Sequence, residues 1–263
     1  MPAEGVTNVT IEAPVKEPRD LDGPDGVRVE VVSRTFTGRR GPVQALDGMS
    51  LRAATGEIVA VVGPSGCGKT TLLELICGLQ SPDSGSVVAA PAALMPQRDL
   101  LLPWLTALDN AGLALRVRGT SRSAARAAAA PWMERFGLGG FERARPPELS
   151  GGMRQRVSFL RSLLAGKPVL ALDEPFASLD AITRAEMQGW LASVLESERR
   201  TVVLVTHDVE EAVMLGDRVV VMSPRPGRAV ASLTVGLPRP RHRTDPDVVA
   251  LRERALTALG VRT

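Results

Sequence analysis

The chain has no tyrosine, and among its 263 residues there are only two cysteines, two histidines, three tryptophans and five phenylalanines. Each scarcity narrows the possibilities. Aromatics this sparse, with no dense basic stripe around them, argue against a dedicated nucleic-acid surface. Cys67 and Cys77 sit together in one apolar stretch, too few and too close for a disulfide framework, so a reducing compartment is expected. Apolar runs such as IVAVVG and VVLVTH fall far short of the ~20 residues that span a bilayer. The opening MPAEGVTNVTIEAPVKEPRD lacks a basic segment followed by an apolar core, so no secretory signal is expected there. A cytoplasmic protein is the expectation, with any membrane role arriving through a partner. Lysine is scarce too: of 32 basic residues only Lys16, Lys69 and Lys167 are lysine. A lysine inside a motif is therefore informative.

What remains is an ordinary globular composition, 44% hydrophobic and 23% charged with a net charge of +3, long enough for one large domain or two lobes. Residues 1–26 are rich in Pro, Asp, Glu and Gly without periodicity and read as a mobile tail. VRVEVV from Val27 alternates as a half-buried antiparallel strand does. EIVAVVG (57–63), PVLALD (168–173), TVVLVT (201–206) and RVVVMS (218–223) are short continuous apolar runs, the mark of strands covered on both faces. Helical spacing lies between them, around 152–165, 181–197 and 208–215. Strands alternating with helices predict an α/β fold with a mainly parallel core sheet and an antiparallel β-subdomain. Residues 98–150 hold no strand-like run and read as an inserted helical subdomain, in which Pro131 is expected to end or kink a helix. The main α/β domain would span 27–230, and 231–263 an extended linker, LPRPRHRTDP, followed by a short helix bearing Val248, Leu251, Ala255 and Leu259.

GPSGCGKT fits the G-x-x-x-x-G-K-[ST] phosphate loop and stands between a predicted strand and a predicted helix, the context that confirms it. Gly63, Pro64, Ser65, Gly66, Cys67 and Gly68 would curl backbone N–H groups around phosphates, with Lys69, Thr70 and Thr71 opening the helix. Lys69 would reach the β- and γ-phosphates, and the Thr70 hydroxyl a Mg²⁺ ion. In VLALDEP, Asp173 ends a buried strand, where a carboxylate needs a cation or its water shell. Glu174 is placed to activate water against a γ-phosphate. LSGGMRQR places Ser150, Gly151 and Gly152 at a helix start, exposing N–H groups to an anion; an ordinary N-cap would explain Ser150 but not the glycine pair. His207 ends a buried strand and suits a terminal phosphate. The Cys67 thiol lies near a helix N-terminus, where its pKa is open to lowering, although a tolerated small residue is the plainer reading.

Phosphate loop, Gln97, LSGGMRQR, LALDEP, SLD (178–180) and His207 occur in an order and spacing that resembles the ATP-binding subunits of ABC transporters, over about residues 27–225. That resemblance implies a P-loop ATPase fold and two copies stacked head to tail, each ATP lying between one copy's phosphate loop and the other's Ser150–Gly151–Gly152. It further implies that Gln97 contacts the Mg²⁺ and attacking water, Glu174 is the general base and His207 holds the γ-phosphate. Asp180 would connect the two sites, and Phe36 would stack on adenine.

Chromosome-structure ATPases of the superfamily carry coiled coils or zinc modules, and translation factors carry two cassettes; neither signature is present. An ATPase of a soluble assembly, such as iron–sulfur cluster biogenesis, is the alternative to a transporter. RDLLLPWLTALDN together with LPRPR resembles the nitrate/sulfonate/taurine importer branch, which includes importers of thiamine pyrimidine precursors, although MPQ stands where FQ is commoner. The implied partners are a second copy, membrane permease subunits docking near Gln97–Leu105 and, indirectly, an extracytoplasmic substrate-binding protein, with no nucleic acid. The implied location is the cytoplasmic face of the membrane.

Overall fold

A computed structural model of the chain describes residues 26–38, 41–177, 179–198 and 200–261; the expected N-terminal tail lies outside them, apart from Gly26. The buried runs become five-to-six-residue strands. They are β3 (Ile58–Val62), β6 (Val169–Asp173), β7 (Thr201–Thr206) and β8 (Arg218–Met222). Almost every residue in them is buried, as expected of a parallel sheet covered on both faces. With β5 (Ala92–Met95) and β9 (Ala229–Thr234) they form a six-stranded sheet in the order β5-β6-β7-β3-β8-β9. All pairings are parallel except that of β9. Beside it, β1 (Val27–Gly38) lies antiparallel between β2 (Gly41–Ala53) and β4 (Ser84–Ala89).

This order decides where the chemistry falls. In parallel sheets, the loops leaving the carboxyl ends of the strands line the functional crevice. β5, β6, β7 and β3 are consecutive neighbours, so the segments after Met95, Asp173, Thr206 and Val62 emerge side by side. Four motifs scattered over more than a hundred residues are gathered by strand order alone.

Between β5 and β6 stand α2 (Ala107–Ala111), α3 (Leu113–Val117), α4 (Arg122–Arg135) and α5 (Gly151–Leu164), as the helical reading of that region expects. Asp109, with a fully buried side chain, fastens α2 to α4. It accepts hydrogen bonds from Arg122 at 3.1 and 2.6 Å and from Arg126 at 2.8 and 2.7 Å. Phe136 and Phe159 of this lobe pack edge-on against Trp190 of α6 (Ala181–Glu198), at ring separations of 4.7 and 5.5 Å, which joins the lobe to the helix that follows β6.

One expectation is corrected. Pro131 does not end its helix, for α4 continues through it to Arg135. α4 buries Ala125, Ala129 and Met133 on one face, a gain that offsets the missing N–H. LPRPRHRTDP, expected as an extended linker, carries no helix or strand over residues 237–245 and is fastened to the fold. Arg241 is buried and donates to the carbonyls of Val213 and Gly216 at 2.7 and 2.6 Å, while Arg239 donates to Leu215 O and Asp217. These bonds hold the segment to the end of α7 (Val209–Leu215). The last helix forms as expected: α8 (Pro246–Ala258) buries Val248, Leu251 and Ala255.

Candidate nucleotide-binding site

The loop from β3 to α1 (Lys69–Ile76) is shaped by glycine. Gly68 has φ +109, and a Cβ there would lie 2.8 Å from the carbonyl oxygen of Ala45. Only glycine combines that backbone with so close an approach. Because Gly68 offers no side-chain cap, the first N–H groups of α1 stay open to an anion. Lys69 is buried and folds back along the loop, donating to Gly63 O at 2.8 Å and Pro64 O at 3.2 Å. The Thr70 hydroxyl donates to Asp173 Oδ2 at 2.9 Å. Asp173 lies at the buried end of β6; burial foremost, and Glu174 as well, raise its carboxyl pKa above the ordinary range, against the Thr70 hydrogen bond. A hydroxyl and a buried carboxylate held together beside a phosphate loop are the oxygen donors that suit Mg²⁺.

Glu174 is the centre of the cluster. Its Oε1 lies 3.5 Å from Lys69 Nζ, and its Oε2 accepts from Gln97 Nε2 at 3.2 Å and meets His207 Nδ1 at 3.1 Å. The strand order thus brings Gln97, Glu174 and His207 to one point. Glu174 has φ 42, a left-handed backbone that a glutamate adopts only where its surroundings impose it, commonly at functional sites; its own N–H is fixed by Val205 O at 2.9 Å.

Phe36, Val43, Ala45, Ser65, Gly66, Gly68, Lys69, Thr70, Thr71, Gln97, Glu174 and Arg225 enclose a cleft of about 440 Å³. Phe36 is part-exposed, with Arg34 over its ring 5.0 Å from the centroid, so it is no core phenylalanine. A larger, open groove between β1–β2 and β8–β9 lacks such convergence, its arginines Arg52 and Arg218 pairing with Glu30 and Glu57. Arg225 was not foreseen: its Nε donates to Gly66 O at 2.8 Å across 159 residues of sequence, and no local pattern in SPRPGR marks it. Cys67 departs from the lowered-pKa reading. It is buried, and burial pushes its thiol above the usual value despite the opposing charge of Lys69, as apolar surroundings do.

Ser150, Gly151, Gly152 and Asp180 do not line this cleft. Ser150 caps α5, accepting from Met153 N at 3.2 Å. Gly152 has a packing reason, since a Cβ there would approach Thr183 Cγ2 to 2.9 Å, whereas Gly151 has room for one. Asp180 caps α6, accepting from Ile182 N and Thr183 N at 3.1 Å each. It is exposed, and the Thr183 hydroxyl, with these N–H groups, lowers its pKa.

A glycine-bent loop that folds a buried lysine beneath a row of strand ends, with a carboxylate pair alongside, defines the P-loop nucleotide hydrolases. Within them the chain belongs to the ABC transporter family, whose pattern matches residues 46–177, and it is an ATP-hydrolysing cassette. Among its curated relatives, the formylaminopyrimidine import ATP-binding protein ThiZ of Halalkalibacterium halodurans is 48% identical over 69% of this chain and 74% of its own. The taurine import ATP-binding protein TauB of Chromobacterium violaceum is 43% identical over 86% and 92%. The aliphatic sulfonates import ATP-binding protein SsuB 1 of Pseudomonas syringae pv. syringae is 42% identical over 88% and 94%. Among solved structures, the dimeric post-hydrolysis state of the ATP-binding cassette MJ0796 bound to ADP and Pi superposes with a TM-score of 0.70 at 28% identity, covering 80% of this chain and 98% of that one.

Proposed function

We propose that the chain is the ATPase subunit of an importer, working as a pair of identical copies on the cytoplasmic face of a membrane beneath two permease subunits. The cargo would be a small anionic or heteroaromatic nutrient handed over by an extracytoplasmic binding protein. The observation that carries this reading is the meeting of Lys69, Gln97 and His207 on Glu174, beside the Thr70–Asp173 pair. The three relatives described above, each an import ATP-binding protein, support the direction of transport and the cargo class.

In the reaction, the loop N–H groups and the Lys69 ammonium hold the β- and γ-phosphates, while Phe36 stacks on adenine. Thr70, Asp173 and Gln97 would hold Mg²⁺, which when bound neutralises charge on the phosphate oxygens. Glu174 takes a proton from the attacking water, with Gln97 orienting that water and His207 donating to the γ-phosphate. Ser150, Gly151 and Gly152 lie outside the lining of their own cleft and serve the cleft of the other copy. Neither half-site alone covers the γ-phosphate charge, so intact ATP favours closure and hydrolysis releases it. Among the described residues no helix is long and apolar enough to cross a membrane, so contact with a permease is peripheral. Leu100 and Trp104 offer it, at 58% and 68% exposed.

Glu174→Gln tests the site. It is expected to keep ATP binding, to lower turnover by about 100-fold or more, and to accumulate an ATP-dependent dimer visible by size-exclusion chromatography. Ordinary steady-state hydrolysis by this variant would overturn the general-base role. Recovery from detergent-solubilised membranes with cytosolic scaffold proteins, and no permease, would overturn the importer reading in favour of a soluble assembly.

A further inference from the structure

The segment after Gln97 and the segment around Ser150 are about fifty residues apart, yet one side chain touches both. Arg154, in the first turn of α5, donates from Nε to Asp99 Oδ2 at 3.1 Å and from Nη1 to Leu149 O at 2.7 Å. Asp99 stands two residues after Gln97, and Leu149 directly precedes Ser150. A second arginine of the same helix reinforces the contact: Arg161 donates to Asp99 O at 2.7 Å and Leu100 O at 2.8 Å. Leu100 has φ 44, a conformation that a leucine keeps only when neighbours hold it. Asp99 Oδ1 accepts from Leu101 N at 3.2 Å, so the carboxylate is fixed on both oxygens.

We propose that Arg154 is a positioning residue that links the two ATP sites of the dimer. It ties the Gln97 segment, which serves this chain's own cleft, to the Ser150–Gly152 segment, which serves the partner's. This inference rests on the two-copy reading above. A shift of the Gln97 segment when nucleotide arrives moves Asp99, and the guanidinium carries that movement to the Leu149 carbonyl and so to the Ser150 cap. A planar fork can hold a carboxylate and a carbonyl at once in fixed directions, which a lysine ammonium on a flexible stem does not do. Arg154 does not line the cleft and acts only through the segments it joins.

The experiment uses the full chain, comparing wild type with Arg154→Gln, Arg154→Lys, Asp99→Asn and the Asp99→Asn/Arg154→Gln double variant. Affinity for a fluorescent ATP analogue at low protein concentration reads the chain's own cleft. Turnover against ATP concentration reads the coupled dimer. The wild type is expected to be cooperative, with a Hill coefficient well above 1. Arg154→Gln is expected to leave analogue affinity within about twofold, to lower turnover roughly tenfold, and to bring the Hill coefficient to about 1. Arg154→Lys should not restore it, and the double variant should be no worse than either single one, as residues acting as a unit behave. Wild-type turnover and cooperativity in Arg154→Gln would overturn the proposal, as would multiplying effects in the double variant or a non-cooperative wild type. If Arg154→Gln fails to fold, Asp99→Asn, which leaves α5 intact, decides the matter on the same readouts. Ser150→Ala is measured alongside. Its normal turnover would overturn the two-copy reading and this proposal with it; its lowered turnover beside an unaffected Arg154→Gln would overturn the Arg154 link alone.

Discussion

Glu211 shows how a buried acid that touches no substrate can set the pH behaviour of the whole chain. It lies behind the His207 loop, where Thr206 Oγ1 donates to its Oε2 at 3.2 Å and itself accepts from Asp208 N at 3.0 Å. Its Oε1 is among the buried side-chain atoms left without a partner. Burial, followed by the charge of Asp208, pushes its carboxyl up from 4.5 to about 8. A carboxyl that holds its proton more tightly folded than unfolded stabilises the fold fully below its unfolded value, and that contribution is lost as pH rises toward the folded one. The melting temperature of the wild type is therefore expected to fall between about pH 5 and pH 8. In Glu211→Gln, whose side chain is neutral throughout, the fall should be shallower. Parallel curves for the two proteins would show that Glu211 is not the group responsible. Nothing in THDVEEA separates Glu211 from Glu210; only the packing of α7 turns one inward and leaves the other to Arg243 and Arg252.

The inserted helices are tied together by polar bonds more than their alanine-rich sequence suggests. Arg122 and Arg126 hold the Asp109 carboxyl well below the ordinary carboxylate range, so its contribution is present at neutral pH and is lost only in strong acid. Asp109→Ala removes four charge-assisted hydrogen bonds. It is expected to destabilise by about 2 to 3 kcal/mol, a figure kept low because both guanidinium groups are about half exposed; urea unfolding would measure it. Next to Asp109, the Asn110 amide accepts from Leu102 N at 2.8 Å and donates to Leu102 O, Leu105 O and Thr106 O, closing the segment after Gln97 into a compact loop. That loop divides the triple leucine: Leu101 is buried, while Leu100 and Trp104 remain outside. Trp104→Ala is accordingly expected to impair stimulation of the ATPase by the permease far more than ATP affinity. Equal loss of both would overturn the docking role of Trp104. Strands and helices with strong periodicity were readable from sequence, because burial on two faces leaves few residue choices. The polar ties were not, since a charged residue in an amphipathic helix looks the same whether it is solvated or bridging.

At the scale of the molecule, the residues that converge in the cleft were legible because phosphate chemistry narrows the choice at each strand end: glycine where the loop must bend, lysine, hydroxyl and carboxylate where charge must be met. Their meeting was not legible one motif at a time, for it follows from the strand order. Arg225 and the buried Arg241 escaped notice for the same reason, being recruited from far along the chain. The Ser150–Gly152 start of α5, lying outside the chain's own cleft, has a consequence under the proposed pairing that can be read genetically. Take two inactive variants, Lys69→Ala and Ser150→Ala, and let them pair. One of the two composite sites then inherits both defects, and the other inherits neither. A mixture of the two is expected to regain turnover that neither shows alone, by intragenic complementation, whereas a chain that completed its own site would gain nothing from the mixing.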